Sequence, residues 1–328
     1  MNLLVTGGAG YIGSHTVLEL ATREHRVVVL DNLTKGHRAA VRGVELVHGD
    51  TGDTGLLKDI FRKHNIEAVV HFAASSLVGE SVRQPADYYH NNVVKGLAML
   101  DAMVESDVRR LVFSSTAAVY GEPVEIPIPE EHPTAPTNPY GATKLALEEA
   151  MRWYDQAYGL RYATLRYFNA AGADPAGEIG EDHDPETHLI PLALNSAVGL
   201  IPHLEVFGAD YPTPDGTCVR DYIHVSDLAV AHVLALDALA GGAASSVYNL
   251  GNGNGYSVLE VIKAAEEVVG KPINIKYGPR RPGDPAALVA GSRKIMDELG
   301  WRPRFADLKT VIETAWRWHS SHPAGFDK

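Results

Sequence analysis

The sequence predicts an α/β fold in which a doubly wound parallel sheet is joined by a smaller α/β C-terminal domain. Three observations support this prediction. Strands and helices alternate through the first half of the chain. The strands are continuous apolar runs, as expected of a parallel sheet that is covered on both faces. A glycine-rich turn also joins the first predicted strand to the first helix, which is typical of a Rossmann-type sheet.

The alternation can be followed element by element. Strands are predicted at residues 3–6, 26–31, 44–50, 68–72, 111–114 and 161–168. The spacing of apolar residues predicts helices at 10–22, 54–64, 85–105 and 140–158. Six prolines between residues 123 and 139 exclude a helix there, and Asn138 and Pro139 then supply the cap and first-turn signals of the next helix.

Beyond residue 169 the alternation becomes irregular. Residues 172–184 are rich in glycine, proline and acids and predict a loop that covers a site. Residues 220–240 predict a return to the sheet, with Asp227 capping an apolar helix, and further elements are expected at 272–275, 293–298 and 308–319. We therefore expect one domain of residues 1–169 plus roughly 219–247, and a second of residues 170–218 and 248–328.

Composition limits the function classes. The net charge of −12 argues against a nucleic-acid partner, because phosphate contacts need clustered lysine and arginine. No run of about 18 apolar residues is present, so no membrane span is predicted. The single cysteine, Cys218, excludes an intramolecular disulfide and is compatible with a reducing compartment. These features predict a cytoplasmic protein that acts on a small molecule.

The glycine turn predicts a dinucleotide site. Gly7, Gly10 and Gly13 follow a strand and open a helix, so the backbone can approach a pyrophosphate whose charge the helix N-terminus favours. Asp31 ends the second strand 18 residues after Gly13, near the usual distance for an acid that binds the cofactor ribose. Because a carboxylate there repels a 2′-phosphate, NAD is favoured over NADP. The alternative is that Asp31 only caps the following segment.

Other cofactor contacts are predicted from position. Asp50 closes the third strand, where it could accept a hydrogen bond from the adenine amino group. Small residues after the fourth strand would let the cofactor lie against the sheet. The full predicted cofactor set is Gly7, Gly10, Tyr11, Ile12, Gly13, Asp31, Asn32, Asp50, Thr51, Phe72, Ala73, Ala74, Asn91, Ser114, Tyr140, Lys144 and Tyr167.

Tyr140 and Lys144 are the predicted catalytic pair. They are four residues apart on a helix, so they lie on one face, one turn from each other. An ammonium that close favours the phenolate, so the pKa of Tyr140 is expected well below its ordinary value of ~10. Ser114 and Thr116 end the fifth strand, where a hydroxyl can pass a proton between substrate and tyrosine, although strand-end hydroxyls also serve as simple caps. The pattern predicts oxidation of an alcohol carbon by hydride transfer.

These residues resemble the extended short-chain dehydrogenase/reductase family. The resemblance extends over nearly the whole chain, through TGGAGYIGSH, VGES, NNV, SSTAAVYGEP, NPYGATK, RYFNAAGA, GTCVRDYIHVSDLA, YNLGNG and RRPGD in order. It implies NAD-dependent inversion at C4 of UDP-glucose and UDP-galactose through a 4-keto sugar that turns over and takes the hydride back. It also implies a homodimer that pairs through the helices at 85–105 and 140–158.

The resemblance assigns roles to residues of the second half. Asn169 would contact the diphosphate, and the guanidinium groups of Arg220 and Arg281 are suited to phosphate. Alternatively, Arg220 pairs with Asp221. The remaining substrate contacts expected besides Thr116 and Tyr140 are Asp284 at the uridine ribose, Leu189 and Phe207 at the uracil, His188 near the uridine, and Leu288 at the hexose.

Leu288 bears on specificity, because members restricted to UDP-glucose and UDP-galactose resemble one another in having Tyr at that wall. A smaller residue leaves room for an N-acetyl group, so activity on UDP-GlcNAc and UDP-GalNAc is expected. The alternatives are a 4-epimerase of another UDP-sugar (a glucuronate or pentose derivative) and a non-catalytic NAD(H) sensor. A 4,6-dehydratase is disfavoured because Ala117 and Ala118 follow Thr116 where relatives have Asp-Glu. No metal site is predicted, since no H-x-x-x-H spacing with carboxylate support is found.

Overall fold

The computed structural model describes residues 1–281 and 284–326. Its strands, in chain order, are β1 (Asn2–Thr6), β2 (Arg26–Asp31), β3 (Glu45–His48), β4 (Ala68–His71), β5 (Arg110–Thr116), β6 (Arg161–Tyr167), β7 (Asn169–Ala171), β8 (Leu204–Phe207), β9 (Val219–His224), β10 (Ser246–Leu250), β11 (Gly255–Ser257), β12 (Ile275–Gly278) and β13 (Ala287–Leu288).

The α-helices are α1 (Tyr11–Thr22), α2 (Thr54–His64), α3 (Val78–Arg83), α4 (Pro85–Tyr88), α5 (Lys95–Glu105), α6 (Pro139–Tyr158), α7 (Leu189–Ala197), α8 (Val225–Ala240), α9 (Val258–Val269), α10 (Arg293–Leu299) and α11 (Leu308–Ser321). Short 3-10 turns lie at Arg38–Ala40 and Ala117–Val119. A π-helical turn, Tyr89–Val94, connects α4 to α5, so the helix predicted at 85–105 is present with a π turn inside it. None of the described helices has the length and apolar character needed to cross a membrane.

A seven-stranded sheet, parallel throughout, forms the larger layer. Its strand order is β3-β2-β1-β4-β5-β6-β10, so the order reverses between β1 and β4. One apolar cluster packs α1 and α8 against one face, through Leu20 and Leu236 among others. A second cluster packs α2, α5 and α6 against the other face, through Leu57, Met103 and Leu147. The prediction of a doubly wound parallel sheet is confirmed, and ligands are expected at the carboxyl edge near the reversal.

The second half of the chain builds a smaller layer beside that edge. Strands β11, β9 and β13 form a sheet to which β7 is added through β9, and β12 pairs with β8. Helices α7, α9 and α11 share an apolar cluster that includes Ile190, Val261 and Ile312. The smaller layer therefore has its own apolar core.

Three local predictions in the second half are wrong. Strand β9, expected to return to the large sheet, joins the small one, and β10 takes the place at the large sheet's edge. The cap of α8 is His224, whose Nδ1 accepts a 3.1 Å bond from Ser226 N, while Asp227 accepts bonds from the backbone of Arg304 and Phe305. The strand expected at 272–275 begins only at Ile275. In each case long-range pairing, which local sequence does not encode, decides the outcome.

Candidate active site

A cavity of about 670 Å³ lies at the carboxyl edge of the large sheet, between the two layers. Its volume is in the usual range for a small-molecule site. The predicted residues that line it are Gly7, Gly10, Tyr11, Ile12, Gly13, Asp31, Asn32, Asp50, Thr51, Phe72, Ala73, Ala74, Asn91, Ser114, Thr116, Tyr140, Lys144, Tyr167, Asn169, His188, Arg220, Asp284 and Leu288. Leu189, Phe207 and Arg281 are not among its lining residues. The structure thus brings most of the predicted site to one place.

The glycine turn is shaped by close backbone contacts. Gly7 has φ +71°, and a Cβ there would lie 2.5 Å from the backbone nitrogen of Ala73. A Cβ on Gly13 would lie 2.2 Å from the carbonyl oxygen of Gly7. Because only glycine fits at both positions, the first turn of α1 can pack against β1 and β4 and point its free N–H groups into the cavity. This cradle fits the pyrophosphate of a dinucleotide.

Asp31 makes capping bonds and also faces the cavity. Its Oδ2 accepts a 2.9 Å hydrogen bond from Ala9 N, and its Oδ1 accepts a 2.8 Å bond from Leu33 N. The carboxylate therefore fixes the turns on both sides of the site. It also lines the cavity, and each oxygen keeps a second lone pair for a ribose hydroxyl.

The Asp50 carboxylate already has protein partners. Its Oδ2 accepts a 2.7 Å hydrogen bond from Lys95 Nζ and a 3.1 Å bond from Asn32 Nδ2. Its Oδ1 accepts a 2.8 Å bond from Gly52 N. The proposed adenine contact stays a prediction, and an adenine amino group would share an oxygen that is already bonded.

The start of α6 positions the catalytic pair. The Asn138 side chain accepts a 2.9 Å hydrogen bond from Gly141 N, and Pro139 occupies the first turn, as the sequence predicts. Tyr140 is hydrogen-bonded to the side chain of Thr116. One turn further along, Lys144 Nζ donates a 2.9 Å bond to the carbonyl oxygen of Ser114. Tyr140 thus faces a hydroxyl that can relay its proton.

The expected fall in the pKa of Tyr140 is wrong. Burial raises the pKa of Tyr140 to about 12, against a smaller lowering from its hydrogen bond to Thr116. Burial also lowers the pKa of Lys144 to about 7, although the Glu148 carboxylate opposes this. The four-residue spacing places Lys144 near Tyr140, but it carries no information about the free energy needed to desolvate both groups. Forming the phenolate therefore requires a further positive charge.

A buried network behind α6 was missed by the sequence analysis. Glu148 forms an ion pair with Arg166, with 3.1 and 3.2 Å bonds from Nε, and accepts a hydrogen bond from Ser115. Arg166 also donates a 3.0 Å bond to the hydroxyl of Tyr120. The available signal was the spacing of Tyr140, Lys144 and Glu148, each four residues apart and so on one helix face.

On the substrate side, Arg220 forms an ion pair with Asp284, not with Asp221. Asn169 Nδ2 donates a 3.1 Å bond to the carbonyl oxygen of Asp221. Leu288 packs against a small apolar cluster that contains Tyr120 and Ile128. Arg220, Asp284 and Leu288 therefore form one continuous part of the wall.

The three predicted residues that do not line the cavity make packing contacts with other residues. Leu189 is the first residue of α7 and packs against its core. The Arg281 guanidinium lies 4.0 Å from the ring centre of Phe207, so each has the other as a partner. Their uracil and phosphate contacts stay predictions.

The loop of residues 172–188, called the covering loop below, forms another wall. Although the loop is rich in acids, the Glu181 side chain is only 4% exposed. The structure also gathers Glu181, His183, Glu186 and His188, whose ligand atoms lie within 4.8 Å of one another. The four residues follow E-x-H-x-x-E-x-H, a spacing that differs from H-x-x-x-H.

Comparisons with known proteins show the family to which this chain is similar. The family model described as the NAD dependent epimerase/dehydratase family matches residues 3–251. A UDP-glucose 4-epimerase of Halalkalibacterium halodurans is 57% identical over 99% of this chain and 98% of its own length.

Two solved structures have the same fold over nearly their whole length. One is a UDP-glucose 4-epimerase from Bifidobacterium longum in complex with NAD⁺ and UDP (42% identity, TM-score 0.94, 99% of this chain and 100% of that one). The other is the UDP-Glc/GlcNAc 4-epimerase of Campylobacter jejuni (40% identity, TM-score 0.85, 98% and 99%).

Proposed function

The chain belongs to the NAD dependent epimerase/dehydratase family, and on that premise we propose that it interconverts UDP-glucose and UDP-galactose by inverting C4 of the hexose. The observation that carries the proposal is the placement of Tyr140, Thr116 and Lys144 in the same cavity as the glycine turn and the Arg220–Asp284 pair. One end of this cavity suits a dinucleotide and the other a nucleoside diphosphate. The named activity of the relatives at 57% and 42% identity supports it.

The chain's residues divide the work of the reaction. The turn around Gly7 and Gly13 and the carboxylate of Asp31 would hold NAD, which when bound accepts the C4 hydride, returns it, and adds positive charge beside Tyr140. Tyr140 would take the proton of the sugar 4-hydroxyl, directly or through Thr116, and give it back after the 4-keto sugar has turned. Lys144 would hold the cofactor ribose.

An epimerase must hold the nucleotide while the hexose turns. The Arg220 guanidinium and the Asn169 amide are donors suited to the diphosphate, and the Asp284 carboxylate is an acceptor suited to the uridine ribose. Leu288 is apolar, so the wall that it forms beside the sugar makes no charged contact with it. Firm polar contacts at UDP and an apolar wall at the hexose agree with inversion at C4.

The activity is tested with protein purified without added cofactor. We expect UDP-galactose to be converted to UDP-glucose, detected by chromatography, without added NAD. Tyr140→Phe is expected to reduce the rate by about 10²- to 10⁴-fold, the usual contribution of a positioned acid–base group. Tyr158→Phe makes the same change at an exposed position of α6 and is expected to keep the rate. Absence of product even with NAD supplied would contradict the assignment.

A second candidate activity is conversion of UDP-GalNAc to UDP-GlcNAc. Leu288 lines the cavity, and the named activity of the Campylobacter jejuni relative includes GlcNAc. A branched aliphatic side chain leaves more space for an N-acetyl group than a tyrosine does. If high enzyme concentration gives no turnover of UDP-GalNAc, this part of the proposal is wrong.

We further propose a cytoplasmic homodimer that serves galactose metabolism. Exposed apolar side chains gather on α6 and the π turn: Trp153 is 57%, Val94 53% and Tyr89 45% exposed. Both segments belong to the helices through which the resemblance implies pairing, and such a patch commonly marks an interface. Light scattering after size exclusion is expected to give twice the chain mass, and Trp153→Lys is expected to yield monomers.

A further inference from the structure

We propose that Glu181, His183, Glu186 and His188 bind a divalent transition-metal cation of the zinc class and that this ion fastens the covering loop over the cavity. The four residues follow E-x-H-x-x-E-x-H within eight consecutive positions. His188 is also the residue expected near the uridine, but the four residues do not include Tyr140, Lys144 or Thr116, and the reaction described above makes no use of a metal. The proposal therefore concerns a structural site in the wall of the cavity.

The distances suit coordination of one ion. Nδ1 of His183 lies 3.1 Å from Glu181 Oε1 and 3.8 Å from Glu186 Oε2. Nδ1 of His188 lies 2.7 Å from Glu181 Oε1 and 3.2 Å from Glu186 Oε1. Metal–ligand bonds of about 2.0–2.1 Å in a tetrahedron require ligand atoms about 3.3 Å apart. The observed separations lie on both sides of that value, so small side-chain rotations would complete the site.

The donor set also favours a dication. Two carboxylates and two imidazoles are an O₂N₂ set that suits zinc and its neighbours better than magnesium or calcium, which prefer oxygen alone. Among the described residues, the ion pairs of Glu181 and Glu186 involve only these two imidazoles. The two imidazole rings lie with their centres 5.2 Å apart, each close to the two carboxylates. A dication bound between them would neutralise both carboxylates.

The surroundings supply the rigidity that a structural site needs. Glu181 is buried, with a 4% exposed side chain, and the Glu186 side chain is 13% exposed. The hydrogen bonds that anchor the covering loop to neighbouring parts of the chain include Tyr11 Oη to Gly172 O (2.6 Å), Lys35 Nζ to Asp184 O (2.6 Å), His37 Nε2 with Asp182 O (2.9 Å) and Trp318 Nε1 to Glu181 O (3.3 Å).

The proposed site is also linked to the glycine turn. The ring of His183 meets the ring of Tyr11 edge-on, with centres 6.1 Å apart, and both residues line the cavity. An ion that fixes His183 would therefore fix the loop against the residue that opens α1. The expected consequence is slower opening of the loop above the cofactor end of the cavity.

Metal binding is tested on tag-free full-length protein that has been treated with EDTA and dialysed. Titration with Zn²⁺ is expected to give one ion per chain. Co²⁺ is expected to give the intense visible absorption of a tetrahedral site. His188→Gln and Glu186→Gln are each expected to weaken Zn²⁺ binding by at least about 100-fold, more than loss of an outer-shell partner usually costs. His203→Gln, which changes a histidine outside the cluster, is expected to bind as the unaltered protein does.

The loop is tested separately by hydrogen exchange. Zn²⁺ is expected to slow amide exchange in residues 172–188 of the unaltered protein by at least tenfold, and not in Glu186→Gln. No uptake by the unaltered protein, or equal uptake by both cluster variants, overturns the site. Uptake without slower exchange overturns the fastening. Should a variant fail to fold, as judged by circular dichroism, the Co²⁺ spectrum of the unaltered protein decides alone. None of these measurements depends on epimerase activity.

Discussion

The ammonium group of Lys144 donates a 2.9 Å hydrogen bond to the carbonyl oxygen of Ser114, which ties the second turn of α6 to the end of β5. The same ammonium lies 4.9 Å from the ring centre of Phe113, and the residue is 4% exposed. Keeping a lysine in these surroundings costs stability, because burial disfavours its charged form.

The first prediction concerns that cost. The folded-state pKa of Lys144 is about 7, below the value of 10.5 expected in the unfolded chain, so the folded state binds fewer protons between these values. Stability due to this group therefore falls as the pH drops from 10.5 to 7 and changes little below. Lys144→Met removes this cost, which is on the order of a few kcal/mol. The substitution also leaves the Ser114 carbonyl without its hydrogen bond, which offsets about 1 kcal/mol of the gain.

The measurement is the Tm of cofactor-free protein at pH 7 and pH 10. We expect Lys144→Met to be more stable than the unaltered protein at pH 7, to lose most of that advantage at pH 10, and to lack activity. A difference in Tm that does not change with pH would show that the protonation of Lys144 does not limit stability.

The buried pair of Glu148 and Arg166 carries the second prediction. Glu148→Gln leaves the guanidinium uncompensated in the interior, which is expected to lower the free energy of unfolding by about 3–5 kcal/mol. The matched control is Asp297→Asn, which breaks an exposed pair with Arg293 and is expected to cost no more than about 0.5 kcal/mol. Urea unfolding of both variants measures the contrast, and equal losses would contradict it.

A third prediction concerns the choice of cofactor. Asp31→Asn removes the negative charge that repels a 2′-phosphate and one of the acceptors available to the ribose. We expect the affinity for NAD to fall by about tenfold, or about 1.4 kcal/mol, and the preference for NAD over NADP to shrink. Titrations of the stripped protein with both dinucleotides measure this. An unchanged ratio of the two affinities would show that Asp31 does not select the cofactor and acts only through its hydrogen bonds to Ala9 and Leu33.

Leu288 gives the fourth prediction. Leu288→Tyr fills the cavity wall next to the hexose, so kcat/KM for UDP-GalNAc is expected to fall by at least about tenfold, while that for UDP-galactose changes little. The control is Leu288→Met, which keeps the volume and is expected to retain both activities. If the tyrosine variant loses both activities together, Leu288 supports the wall without selecting the sugar.

Local signals in the sequence determine much of this site. The glycines, Asp31 and the Asn138 cap act through contacts close to them in the chain or through a strand–helix order that few topologies accommodate. Gly7, Asp31, Tyr140 and Lys144 could therefore be placed before the structure was known. The π turn at Tyr89–Val94 gives no such signal, because a single π turn shifts the apolar spacing of the surrounding helix by only about one residue.

The sequence by itself determined the doubly wound sheet and singled out the glycine turn, Tyr140 and Lys144, because periodicity and caps are properties of short segments. Only the tertiary structure decided the ionisation of Tyr140 and Lys144, the pairing of Arg220 with Asp284, and the meeting of Glu181 with His188. Desolvation and Coulomb interactions depend on what surrounds a group in space. Arg220 and Asp284 come from distant segments, and even Glu181 and His188, which belong to one loop, meet only through the path that the folded loop takes.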